Sequence, residues 1–194
     1  MPTLESGEEM RIVVGISGGS CGIYGVGLLK VLQELNIETH LVVSTMGEYV
    51  VKHECGMDLD ELKGLATHYH NNKDLAAPIS SGSFKTNGMI IIPSSMRTLA
   101  AVANGISDNL LTRAADVTIK ESRRLVIVPR ETPLSVIHLE NMLKLAKMGV
   151  RIMPAAPGFY HQPETIEEIV SIIVGRALDQ LDIEHNLLKR WGGV

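Results

Sequence analysis

The sequence predicts a three-layer α/β domain built on a parallel, doubly wound sheet. Three observations predict it. Short runs rich in Val and Ile alternate with longer stretches that carry apolar residues at helical spacing. Glycine- and serine-rich turns follow several of those runs directly. The apolar share, 45%, is aliphatic, with only 4% Phe, Trp and Tyr, which suits strands buried on both faces under closely packed helices.

Met10–Ile16 reads as the first buried strand and Ser17–Gly22 as a glycine-rich turn. Ile23–Leu35 sets Tyr24, Leu28, Val31, Leu32 and Leu35 at helical spacing. Glu38–Ser44 is the second strand, followed by helices at Thr45–His53 and Leu59–Leu65. Pro78–Gly88 is a loop and Met89–Pro93 the third strand. Helices at Ser95–Asn104 and Leu110–Glu121 flank Gly105–Asn109. Leu125–Val128 is a strand, Pro129–Ser135 a loop, Val136–Met148 a helix and Val150–Met153 a strand. After the loop Pro154–Pro163, Thr165–Leu181 closes the domain. Glu164, Glu167 and Glu168 put negative charge at the positive end of its dipole. Repeated βα units imply right-handed crossovers. Ligands of such sheets bind at the carboxyl ends of strands, near the switch point. Chemistry is therefore expected in Ser17–Gly22, Ser44–Met46, Ser94–Thr98, Arg130–Ser135 and Ala155–His161.

A chain of 194 residues suits a single domain over 1–194, with a polar, acidic and flexible segment at 1–9. No run of 18 apolar residues occurs, so no membrane span is expected, and Met1–Glu9 lacks the pattern of a secretory leader. A cytoplasmic location follows by default. The net charge of -4 speaks against a nucleic-acid partner. Cys21 and Cys55 have no metal-binding spacing and read as reduced thiols. His68 and His70 can share one strand face as metal ligands, but no adjacent Cys or carboxylate cluster accompanies them, so no metal site is expected. The aliphatic surplus predicts a homo-oligomer.

Five motifs carry candidate chemistry. In Gly15–Gly22, glycines allow close backbone approach to a phosphate, and the following helix offers N–H groups. The loop is neither a Walker A motif nor a strict dinucleotide fingerprint, and a turn serving helix–strand packing alone is the alternative. Pro93–Thr98 sets hydroxyls at a helix start, as anion ligands, plain caps or both. Arg113, Lys120, Arg130 and Arg176 can converge on a phosphate. Equally, Asp116 lies three after Arg113 and four before Lys120, within reach of surface ion pairs. Arg130-Glu131 offers an acid/base pair or a surface ion pair. Pro154–Pro163, rigid and apolar with Phe159 and Tyr160, can wall a hydrophobic substrate or form an ordered surface loop.

These motifs, in this order, resemble the flavin prenyltransferase (UbiX-type) family. The resemblance lies in Gly15–Ser20, Ser94–Ala100, Asn109–Val117, Pro129–Leu134, Ile137–Leu143, Pro154–Tyr160 and Arg190–Gly192. Ala77–Phe84 leans toward the branch tied to aromatic-acid decarboxylase operons. The resemblance implies a flavodoxin-like, Rossmann-like fold and a homo-oligomer, typically a dodecamer. It implies metal-independent transfer of a dimethylallyl group from dimethylallyl phosphate to N5 and C6 of reduced FMN. The prenylated FMN would serve a UbiD-type decarboxylase. Carried over by position, Gly18, Gly19, Ser20, Ser44, Ser95, Met96, Arg97, Thr98 and Arg130 would meet FMN. Arg113, Lys120, Arg130, Tyr160 and Arg176 would hold the dimethylallyl phosphate, with Trp191 closing the pocket from a tail, 182–194, that reaches a neighbouring subunit. Ser20, Glu54 and Glu131 would be catalytic. The chain departs from the usual Gly-Ala-Ser-Gly at Gly18–Cys21 and from Cys-Ser-Met-Lys-Thr at Ser94–Thr98, where Arg97 replaces Lys and changes the donor geometry. Besides a plain nucleotide-binding Rossmann-like domain, two rival readings remain beside it. One is a non-catalytic FMN-carrying subunit of an aromatic acid decarboxylase. The other is an FMN-dependent cysteine decarboxylase, disfavoured because no His lies between His70 and His138.

Overall fold

The computed structural model describes residues 10–160, 162–188, 190 and 192. Its sheet has six strands: β1 (Arg11–Ile16), β2 (Glu38–Val43), β3 (His68–Asn71), β4 (Gly88–Ser94), β5 (Leu125–Pro129) and β6 (Arg151–Ile152). The order is β3-β2-β1-β4-β5-β6, with every neighbouring pair parallel. The helices are α1 (Gly22–Glu34), α2 (Thr45–Cys55), α3 (Leu59–Lys63), α4 (Met96–Ala103), α5 (Leu110–Lys120), α6 (Val136–Lys147) and α7 (Ile166–Asp179). A single 3₁₀ turn spans Pro78–Ser80.

Alternation along each strand divides the apolar residues between two cores. Ile12, Val14, Ile16, Leu41, Ile90 and Val126 face a layer holding Leu28, Leu29 and Leu32 of α1 and Ile173 and Val174 of α7. Val13, Val42, Met89, Ile91 and Ile127 face the opposite layer, with Leu99 of α4 and Leu111, Ala114 and Ala115 of α5. Successive strand residues point to opposite faces, so an unbroken apolar run needs cover on both sides. Leu28, Leu29 and Leu32 are fully buried, each contributing roughly 1.5–3 kcal/mol of transfer free energy. α1 packs closely on the sheet because Gly25 has no Cβ, which would lie 2.7 Å from the Ile92 carbonyl oxygen.

The expected strands and helices are present, with shifts of one or two residues at their ends. β3 is the element that apolar periodicity did not reveal. Its four residues, His-Tyr-His-Asn, form a half-exposed edge strand with no apolar run. The direction of strand order reverses between β1 and β4, which places the switch-point crevice at their carboxyl ends. Among the described residues no helix is long and apolar enough to cross a membrane. The segment 1–9 lies outside the described residues.

Candidate active site

Backbone and hydroxyl bonds join the loops at the carboxyl ends of the strands into one frame. Ser17, buried to 1% exposure, accepts the Ser95 N–H on its hydroxyl at 2.8 Å and donates from its own N–H to the Pro93 carbonyl at 3.1 Å. The Ser44 N–H donates to Ile16 at 2.9 Å, the Arg130 N–H to Ser94 at 3.2 Å, and the Ala155 N–H to Pro129 at 3.1 Å. Five strand ends are thereby held in register around one crevice. Glycine is required in its floor at position 18, and position 19 is tightly packed. A Cβ on Gly18 would lie 2.5 Å from Met46 Cβ, and one on Gly19 would lie 3.0 Å from the Ser94 carbonyl oxygen.

Glu54, near the end of α2, reaches back into this loop. Its Oε1 accepts the Ser20 hydroxyl at 2.6 Å, and its Oε2 accepts the N–H groups of Cys21 and Gly22 at 2.7 and 2.8 Å. This revises one expectation. The first N–H groups of α1, offered by the sequence as phosphate donors, are taken by a carboxylate, which also complements the helix dipole. The anion-binding start is better sought at α4. There Ser95 caps the helix by accepting the Thr98 N–H, leaving the first-turn N–H groups of Met96 and Arg97 without intrahelical acceptors. Ser44 caps α2 in the same manner through the Gly47 N–H.

Arg130 follows β5 into the crevice. Its Nε is buried and has no hydrogen-bond partner among the described residues, an arrangement that calls for an acceptor not supplied by those residues. Glu131 is exposed beside it and accepts the Thr132 N–H at 3.0 Å. Arg97 points to Asp108, with Nη2 to Oδ2 at 2.9 Å, and is two-thirds exposed. Asp108 was not legible as a partner, because eleven residues and a helix separate the two.

Lys120 and Arg130 do not meet within one chain. Lys120 ends α5 before the amino end of β5, whereas Arg130 follows its carboxyl end, with about 17 Å of strand between those ends. Arg113 pairs with Asp116 at 2.8 Å, as spacing allowed, but Lys120 takes Glu121 at 2.6 Å instead of Asp116. A second grouping replaces the expected one. Arg113 Nε donates to the Ser80 carbonyl, and Arg123 donates to the Gly82 and Phe84 carbonyls. A Cβ on Gly82 would sit 2.8 Å from Lys120 Nζ. Three cations therefore surround the serine- and glycine-rich segment 80–84, and Arg123 is the member that sequence reading missed.

Tyr160 and Arg176 border one cleft of about 450 Å³ along β6, together with Arg151 and Gln180. Arg176 also pairs with Asp179 at 3.0 Å. The described part of the C-terminal segment lies on its own α7, where His185 meets Asp179 at 3.2 Å and Leu187 packs on the core. Trp191 falls outside the described residues.

Known proteins share much of this sequence and this fold. The family model described as Flavoprotein matches residues 2–178. A protein named probable UbiX-like flavin prenyltransferase from Bacillus subtilis (strain 168) is 51% identical over 190 residues, covering 98% of this chain and 93% of the relative. The crystal structure of AnUbiX (PadA1) in complex with FMN and dimethylallyl pyrophosphate superposes with a TM-score of 0.95 at 45% identity, covering 96% of this chain and all of that one. A dodecameric FMN-dependent UbiX-like decarboxylase from Escherichia coli O157:H7 gives 0.93 at 50% identity, covering 95% and 100%. The FMN-dependent cysteine decarboxylase SpaF, 16% identical with a TM-score of 0.63, shares the fold alone. Sequence motifs, sheet order and near-full-length identity converge: this chain belongs to the Flavoprotein family and, within it, to the UbiX-type flavin prenyltransferases.

Proposed function

We propose that the protein joins the dimethylallyl group of dimethylallyl phosphate to N5 and C6 of reduced FMN, and that its product serves a UbiD-type decarboxylase. The observation that carries the reading is the crevice itself: a Ser20–Glu54 pair at 2.6 Å and a buried Arg130 Nε lacking a partner among the described residues, under loops that glycines keep open. Gly18, Gly19, Ser20, Ser44, Ser95, Met96, Arg97, Thr98 and Arg130 would hold FMN. Its phosphate suits the α4 start, where N–H groups and Thr98 and Ser95 hydroxyls gather.

Reduced flavin supplies the electron-rich N5 and C6. The chain supplies charge and protons. As the ester C–O bond breaks, phosphate departs with the electron pair, and the arginine and lysine side chains neutralise it without a metal ion. Arg130 is in the crevice. Lys120 lies about a strand's length away, so we infer that a neighbouring copy contributes its 80–84 segment with Arg113 and Lys120, while Tyr160, Arg176 and Trp191 close the far side. Glu131 would give a proton to the leaving phosphate, and Glu54, through Ser20, would move the proton displaced at the flavin.

The assembly would be a homo-oligomer, a dodecamer as in the Escherichia coli relative. A cytoplasmic location is consistent with the two free cysteines.

The test is direct. Protein incubated with reduced FMN and dimethylallyl phosphate is expected to release a flavin heavier by one prenyl group in mass spectra of the extract. Glu131→Gln is expected to bind FMN as the parent does and to slow prenylation at least about 100-fold, the usual scale of general acid–base catalysis. Unchanged flavin with intact FMN binding would support a carrier subunit instead.

A further inference from the structure

A second polar cluster lies at the opposite, amino-terminal ends of the strands. Residues two apart on a strand share a face, so Glu38 and His40 of β2 point the same way, as do His68 and His70 of β3. The pairing register sets His40 beside His68. His40 Nε2 is 2.9 Å from Glu38 Oε1, and His68 Nε2 is 3.4 Å from the same oxygen. Among the described residues, these three form the group whose donor atoms all lie within 4.8 Å of one another. The carboxylate missing beside His68 and His70 in the linear sequence is supplied across the sheet.

The spacing fits an ion. A tetrahedral Zn²⁺ site with bonds of about 2.1 Å keeps its ligand atoms about 3.4 Å apart. The Glu38–His68 contact already has that length, the Glu38–His40 contact needs to open by a few tenths of an ångström, and the two histidine ligand atoms lie within 4.8 Å of each other. Supporting contacts fit too. His40 is buried to 4% exposure, and its second ring nitrogen, Nδ1, lies 2.8 Å from His70 Nε2. A metal-bound imidazole generally uses its other nitrogen in this way. Phe84 packs edge-on against His40 at 5.1 Å between ring centres. Arg11 Nε lies 2.8 Å from Glu38 Oε1 in an ion pair that helps to hold the carboxylate. Its charge opposes a cation, so binding is expected to be weaker than at a closed structural zinc site. An open cleft of about 540 Å³, bordered by Glu38, His68, Gln33 and Thr67, gives an ion and a water ligand access.

We propose that Glu38, His40 and His68 bind one divalent transition-metal ion of the zinc type, with His70 orienting His40. The site lies at the other end of the sheet from the flavin crevice and is independent of prenyl transfer.

The full-length protein, stripped with EDTA, is titrated with Co²⁺ and then Zn²⁺. The expected result is one ion per chain, visible absorption typical of four-coordinate Co²⁺, loss of that absorption on adding Zn²⁺, and a thermal midpoint raised by Zn²⁺ but not by Mg²⁺. His68 is half-exposed, so His68→Ala is expected to fold normally and to lose both the spectrum and the thermal shift. His70→Ala keeps the three ligands and is expected to weaken binding roughly 10- to 100-fold. His138→Ala, on α6, is the control and is expected to bind as the parent. No stoichiometric binding, or binding undiminished in His68→Ala, would overturn the proposal and leave a hydrogen-bonded polar cluster. Since EDTA-treated protein is expected to prenylate FMN at the parent rate, the outcome is separable from the flavin reading.

Discussion

Cys21 shows how one residue reflects the demands of a neighbour. It sits in the left-handed region, φ 76 and ψ 42, at the start of α1, with no side-chain cap. That conformation turns its own N–H and that of Gly22 onto Glu54. A β-carbon there costs on the order of 1–2 kcal/mol, which glycine avoids at the expense of some unfolded-state entropy. Cys21→Gly is therefore expected to raise stability by about 0.5–1 kcal/mol in urea unfolding while keeping the Glu54 contacts. A loss of stability would mean that the thiol packing outweighs the backbone strain. Arg97 was carried over from the family resemblance as a flavin contact, and its ion pair with Asp108 became visible only in the fold.

At the scale of the element, α7 is anchored by a carboxylate. Asp179 gathers Arg176 at 3.0 Å, His185 at 3.2 Å and Arg190 at 2.7 Å. Burial raises its pKa, but Arg190 and then His185 overcome that effect, and the net displacement is downward from 3.8. A carboxyl group with a depressed folded-state pKa stabilises the fold above its unfolded value, and that contribution is lost as pH falls through the folded value. Asp179→Asn is expected to cost about 1–2 kcal/mol at neutral pH, since two partners are largely exposed. The difference between parent and variant should hold above pH 3.8 and close below it, as followed by urea unfolding across pH. The limits of α7 were legible from Thr165 and the acidic first turn, because a capping box is local: the Thr165 hydroxyl accepts the Glu168 N–H. β3 was not legible, because an edge strand covered on one side carries no apolar run.

For the whole molecule, α6 presents an apolar face to solvent among the described residues. Leu145 is buried inward, whereas Val136, Ile137, Leu139 and Leu143 are between 51% and 70% exposed. Four apolar side chains in water on one helix form the kind of patch that association covers. Val136→Glu with Leu143→Glu is expected to leave the helical circular-dichroism spectrum intact and to shift the assembly to smaller species in analytical ultracentrifugation. An unchanged mass would move the interface elsewhere. Because we infer that a neighbouring copy completes the cationic site, the same variant should lose prenyl transfer together with its assembly.

The sequence by itself determined the layering, the helices and five of the six strands to within two residues, as well as the loops where chemistry gathers. These are local properties: a run of Val and Ile, a period of 3.6, a glycine after a strand. Among the five, β6 keeps two residues of an expected run of four. The tertiary structure alone decided which distant groups touch. Ser20 and Glu54 are 34 positions apart, and Ser17 and Ser95 are 78. Lys120 and Arg130 are only ten apart in sequence, yet they stand at opposite ends of β5. Glu38, His40 and His68 meet because β2 pairs with β3 in one register. Strand order and register set these distances, and both follow from burying all apolar faces at once, a condition that no short window of sequence contains.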